Sequence, residues 1–137
     1  DNVLPYLDIP TQHVSTSVLK RMLRGGTSES VRKIMTRLRD EVPNIALRTT
    51  VLVGHPGEGR AEFEELLEWM KEFRFERLGA FAFSPEANTP AGTDDDRCSH
   101  EEALERQGEL MQLQAEIHAG FQQSLVGKTT TVLIDDA

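Results

Sequence analysis

Ile45 to Phe75 reads IALRTTVLVGHPGEGRAEFEELLEWMKEFRF. Its first ten residues, IALRTTVLVG, are rich in β-branched side chains, whose restricted χ1 favours extended backbone. HPGEGR, His55 to Arg60, breaks that run with proline and glycine and reads as a turn. From Ala61 to Phe75 the apolar residues Phe63, Leu66, Leu67, Met70 and Phe73 recur at three- and four-residue steps, which is the spacing of one helix face. Strand, tight turn and amphipathic helix together form the unit from which parallel α/β sheets are built.

The flanking sequence repeats the unit. Val3 to Ile9 predicts a strand, and STSVLKRMLR, Ser15 to Arg24, predicts a helix through Val18, Leu19, Met22 and Leu23. GGT interrupts the pattern. Ser28 to Val42 then predicts a second helix, with Val31, Ile34, Met35 and Leu38 on one face and Ser28 as its N-cap. Downstream, RLGAFAFS predicts a third strand and PEANTPAGTDDDRCS a polar loop. Glu101 to Leu125 predicts a long helix with Leu104, Leu110, Met111, Leu113 and Ile117 apolar, and TTTVLID from Thr129 predicts a last strand.

Helices of ten or more residues between strands imply right-handed crossovers and a parallel sheet. Three such strands cannot close a barrel. The expected fold class is therefore α/β, with residues 1–125 forming part of a larger architecture and residues 126–137 opening another domain. The chain starts two or three residues before a strand pattern and is expected to be an excised piece, the first strand's other neighbour lying upstream.

Composition narrows the function classes. Fifteen basic residues against twenty-three acidic ones give a net charge of −8, which repels a phosphate backbone, so nucleic acid is not the default partner. The single cysteine, Cys98, makes no internal disulfide, and no apolar run has the roughly 18 residues of a membrane span. A cytoplasmic protein is expected.

In parallel α/β folds the binding groups gather at the carboxyl ends of the strands. Gln12 and His13 follow the first strand, Gly54 to Glu58 the second, and Ser84 with Pro85 and Glu86 the third. Gln12 and His13 are candidates for ligand contact, the alternative being that they cap the next helix. Arg48 shares a phase with Thr50, Leu52 and Gly54; on a buried face its charge needs an anion such as a ligand carboxylate, whereas at a solvent-exposed strand start it needs none. Gly54 and Gly57 allow close backbone approach to a planar ligand, and Glu58 either accepts from a base amine or caps the following helix.

PYLDIPTQHVSTSVLKRM, LRTTVLVGHPGEGRAEFEELLEWMKEFRFERLGAFAFSPEANTPAG and MQLQAEI occur here in an order and spacing that resemble the radical S-adenosylmethionine methylthiotransferases, and DIPTQH with FSPEANTPAG resembles the RimO branch. The phenylalanine that often precedes Pro-Gly-Glu in that family is His55 here. The resemblance implies a partial TIM-like barrel of βα units followed by the first strand of a small β-barrel TRAM domain. It also implies a parent enzyme that adds a methylthio group to the β-carbon of an aspartate in a ribosomal small-subunit protein. The implied cofactors are S-adenosylmethionine and two 4Fe-4S clusters, whose cysteine motifs are absent from this sequence, so the chain alone is expected to be inactive. By position in the motifs, Gln12, His13, Arg48 and Thr50 would hold the amino-acid and ribose parts of the cofactor. Gly54, Pro56, Gly57 and Glu58, with Phe83 and Ser84, would shape its adenine pocket. The rival readings are the transfer RNA adenosine branch of the same family, a small-molecule binding domain without radical chemistry, and an interaction module built on the acidic long helix.

Overall fold

The computed structural model describes residues 3–129 and residue 131. Strand β1 (Tyr6–Asp8) is followed by helices α1 (Thr16–Arg21) and α2 (Ser28–Glu41). Strand β2 (Ala46–Val53), helix α3 (Arg60–Phe73) and strand β3 (Arg77–Ala82) come next. A short helix α4 (Pro90–Thr93) interrupts the polar loop, and α5 (His100–Leu125) is the long helix. The strands form one open sheet in the order β1-β2-β3, and both pairings are parallel. This is the α/β architecture expected from the alternation of strands and helices.

Strand periodicity divides the sheet into two unlike faces. Leu47, Thr49, Val51 and Val53 of β2 are buried, while Arg48 is exposed and Thr50 and Leu52 are half-buried. The β2–β3 register sets Leu78 and Ala80 beside Thr49 and Val51, continuing the buried face. Against it pack Met35 of α2, Phe63, Leu66, Trp69 and Met70 of α3, and Leu110 and Ile117 of α5. Each large apolar side chain buried there contributes about 1.5–3 kcal/mol. The opposite face carries Tyr6 and Phe81, 49% and 60% exposed, and none of the described helices covers it.

Helix ends follow their capping chemistry, with corrections to the sequence reading. Thr27, not Ser28, is the N-cap of α2: its side chain accepts from the Ser30 N–H, and Ser30 Oγ accepts from the Thr27 N–H. α3 ends at Phe73 because Arg74 takes up a left-handed conformation, φ 45°. Phe75 therefore lies outside the helix, yet it is fully buried, with its ring 4.6 Å from that of Trp69. Leu23 also adopts positive φ and is solvent-exposed, so it is not part of the α1 face. Val3 and Leu4, expected in the first strand, lie outside β1 and are exposed.

α5 runs back along β3. Gln107 Nε2 donates to the Ala80 carbonyl at 2.7 Å and Gln114 Nε2 to the Phe75 carbonyl at 3.0 Å. The buried stripe of α5 is Ala103, Arg106, Leu110, Gln114 and Ile117, whereas Leu104 and Met111, expected on the apolar face, are exposed. No described helix is long and apolar enough to cross a membrane. The expected strand from Thr129 to Ile134 lies largely outside the described residues.

Candidate functional site

The carboxyl ends of β1 and β2 are held together by backbone pairing beyond β1 itself. Gln12 donates its N–H to the Thr50 carbonyl and accepts from the Leu52 N–H, both at 2.8 Å, forming a parallel bridge opposite Val51. Its backbone is left-handed, φ 66°, a conformation that costs a non-glycine residue about 1–3 kcal/mol and is maintained here by bonds on both sides. Just before it, Thr11 Oγ1 lies 2.9 Å from Thr49 Oγ1, which donates to the Ile9 carbonyl. The buried hydroxyls are thus satisfied and lock the two strands in register.

His13, the next residue, turns to the helix side and is fully buried. Its Nδ1 accepts from the Ser15 N–H at 2.9 Å, which in the neutral ring leaves the proton on Nε2. Nε2 stands 3.3 Å from Glu58 Oε2, close in distance but off the hydrogen-bond axis, so neither atom has a well-directed partner. Glu58 Oε1 is better served, accepting from the Gly54 N–H at 3.0 Å and from Arg106 Nη1 at 2.7 Å. Arg106 Nη1 also donates to the Glu58 main-chain carbonyl at 2.9 Å, and its Nη2 reaches Glu102. Burial alone would raise the Glu58 pKa, but the adjacent His13 ring and the hydrogen bonds from Gly54 and Arg106 outweigh it and hold the carboxyl below its usual range.

A second clamp holds the same loop from the α1 side. Arg21 pairs with Asp94 and Asp96, at 3.1 and 2.7 Å, and Gly57 donates its N–H to the Asp96 carbonyl at 2.7 Å. A Cβ on Gly54 would sit 2.5 Å from the Ala103 Cβ, and one on Gly57 would run into the Arg21 side chain. On the side where a Cβ would project, both glycines therefore admit neighbouring protein. Glu58 does not cap α3, since Glu62 accepts from the Gly59 N–H at that helix start.

The remaining sequence candidates divide between two places. Pro56 is buried, and His55 is buried with its ring edge-on to Phe83, centroids 5.2 Å apart, so the position where the resembled family often has phenylalanine makes an aromatic contact here. Ser84 is exposed, while Phe83 and Thr50 are half-buried. Arg48 shares the uncovered face with Thr50 and Leu52 as its phase predicts, and its side chain is 53% exposed. Its anionic partner is Asp8, 3.5 Å away on β1, and its register neighbour on β3 is another cation, Arg77. Arg106, Glu102, Arg21 and the Thr11–Thr49 pair had no place in the sequence reading. The one signal for Arg106 was its step of three and four residues from Ala103 and Leu110.

The arrangement thus has a sealed layer and an open one. His13, Glu58 and Arg106 are closed to solvent and serve as supports, while Gln12, Thr50, Arg48, Phe83 and Ser84 retain exposed surface that can meet a ligand with both polar and flat apolar parts. Among the described residues no three His, Cys, Asp or Glu side chains stand close enough to hold a metal ion, and Cys98 is a single thiol whose pKa is pushed up by burial.

No family model matches the chain. It is 45% identical over 133 residues to a protein of Christiangramia forsetii and 46% identical over 136 residues to one of Phocaeicola vulgatus. A protein of Chlorobaculum parvum is 44% identical over 134 residues. All three are named ribosomal protein uS12 methylthiotransferase RimO, and the matches take in 97–98% of this chain. The chain spans about 30% of the length of these curated relatives.

Proposed function

Because the chain belongs to the RimO family of methylthiotransferases, we propose that it forms the S-adenosylmethionine-facing part of an enzyme that adds a methylthio group to an aspartate side chain of ribosomal protein uS12. The observation that carries this reading is that Gln12 follows β1, Phe83 and Ser84 follow β3 and Thr50 lies in β2 between them in one parallel sheet, in a chain 44–46% identical to proteins bearing that name. In the proposal, the open sheet is one part of a TIM-like barrel, its uncovered face is the interior, and residues 126–137 begin a TRAM domain.

The roles follow from exposure. Gln12 and Thr50 offer an amide and a hydroxyl to the ribose and amino-acid portions of the cofactor, Arg48 offers a guanidinium to its carboxylate, and Phe83 offers a ring edge to the adenine. His13, Gly54, Pro56, Gly57 and Glu58 support these groups from beneath. S-adenosylmethionine, with iron–sulfur clusters, supplies the C–H activation and sulfur chemistry. The described residues do not fit a cluster, since one thiol falls short of the three or four thiolates that a cubane needs. The cluster ligands are therefore assigned to parts that the relatives have beyond the matched 30%.

The test is a chimera in which this chain replaces the matching third of the Phocaeicola vulgatus protein. Methylthio transfer to uS12 is the expected result, with Gln12→Ala and Thr50→Val raising KM for S-adenosylmethionine. A folded, cluster-loaded chimera without transfer overturns the proposal.

A further inference from the structure

Three contacts of the Glu58 side chain fix three different segments. Oε2 faces His13, the residue directly after Gln12; Oε1 takes the N–H of Gly54, where β2 ends; and Oε1 also takes Nη1 of Arg106 in α5. The side chains of His13 and Glu58 have no exposure and that of Arg106 has 6%, so water cannot stand in for any member that moves away. Arg106 also bonds the Glu58 carbonyl, and so it holds the loop backbone as well as the carboxylate. Nearby, Ala103 fills the space beside Gly54, and the Arg106 guanidinium lies over the Phe63 ring, 5.6 Å from its centroid. Arg106 Nε and Glu58 Oε2 have no well-directed hydrogen bond among the described residues, so the cluster has little redundancy to absorb a displacement.

We propose that Arg106 is a positioning residue acting through Glu58. It sets the placement of His13 and of the Gly54–Gly59 loop, so that the ends of β1 and β2 depend on how α5 is seated. The consequence for cofactor binding rests on the function proposed above; the mechanical coupling itself does not. A helix packed along the sheet thereby conditions the site without touching a ligand.

The experiment uses the isotopically labelled chain with Arg106→Met, Arg106→Lys and, as a control on the same helix, Gln114→Met. Amide hydrogen exchange at Gly54 is measured relative to Val51, and the ring nitrogens of His13 are followed by NMR. Arg106→Met is expected to speed Gly54 exchange at least tenfold relative to Val51 and to shift both His13 nitrogens, with Arg106→Lys intermediate. Gln114→Met is expected to lower stability while leaving the ratio and the His13 signals in place. An unchanged ratio in the Arg106 variants, or the same change in Gln114→Met, overturns the proposal; if Arg106→Met does not fold, Arg106→Lys decides alone. The cluster-loaded chimera separates the two readings. An S-adenosylmethionine KM unchanged by Gln12→Ala and Thr50→Val there counts against the cofactor site and leaves the exchange result standing.

Discussion

Arg106 Nη1 and Glu58 Oε1 stand 2.7 Å apart across 48 residues of sequence, with both side chains nearly closed to solvent. A buried pair of this kind adds little net stability over an apolar replacement of both partners, but loss of one partner strands the other.

Glu58→Ala is accordingly expected to destabilise the chain by about 1–3 kcal/mol, because it leaves the buried Gly54 N–H without its acceptor and the Arg106 charge with only Glu102 and a main-chain carbonyl. Urea unfolding gives the number. A loss below about 1 kcal/mol would mean that the cluster relaxes or admits water.

Stability is expected to fall on acidification in two stages. Burial lowers the His55 pKa, only partly offset by its bond to the Pro56 carbonyl, so the unfolded chain takes up that proton at higher pH than the folded one. The contribution is complete above the ordinary histidine range, near 6.5, and is lost as pH falls through the lower folded value. Glu58, also lowered when folded, adds a second loss below the usual carboxylate range. Urea midpoints from pH 8 down to about pH 2 should show both limbs. His55→Phe, which keeps the edge-on contact with Phe83, should flatten the upper limb only, and an unaltered profile rules out His55 as its source.

Gly54→Ala combines a steric and a backbone cost. The added methyl meets the Ala103 Cβ at 2.5 Å, and φ 78° costs a non-glycine residue about 1–3 kcal/mol. Ala103→Gly in the same chain should remove the collision and restore part of the stability, leaving the backbone cost. Full restoration in a thermal melt would show that φ at this position is not strained.

Phe81 and Tyr6 stand on the uncovered sheet face, and β1 is an edge strand. Concentration-dependent association is expected in sedimentation experiments. Phe81→Lys should reduce it with less than about 0.5 kcal/mol change in stability, since the ring is largely exposed. Equal association in the variant would place the contact elsewhere.

Anaerobic treatment of this chain with iron and sulfide is expected to leave no persistent brown chromophore and to release no deoxyadenosine from S-adenosylmethionine, because a single thiol cannot hold a cluster tightly. Visible absorption and chromatography suffice. A stable chromophore with cofactor cleavage would invalidate the ligand count.

The strands and long helices were legible because each carries one dominant period: the alternation in β2 and the three-four spacing in α3 report burial directly. α5 was less legible, since two of its buried positions are Arg106 and Gln114 while Leu104 and Met111 face water. Apolarity alone ranks those four the wrong way round; only the acceptors on Glu58 and Phe75 explain them. The same holds for Glu58, whose composition-based role as a cap yields to partners 45 and 48 positions away in sequence. Arg48 shows the converse. Its phase was readable, but its exposure depends on what covers the sheet, which periodicity does not encode.

α5 also has leverage. Nineteen residues separate Arg106 from Leu125, or about 28 Å at 1.5 Å per residue. With the helix treated as a rigid rod pivoting at Arg106, a tilt of about 5° swings its far end by roughly 2.5 Å while moving the guanidinium by only a fraction of an ångström. Leu110, Gln114 and Ile117 hold that length against the sheet, so a force applied at Leu125 loads those contacts first and reaches the hydrogen bonds to Glu58 at the short arm only as they yield.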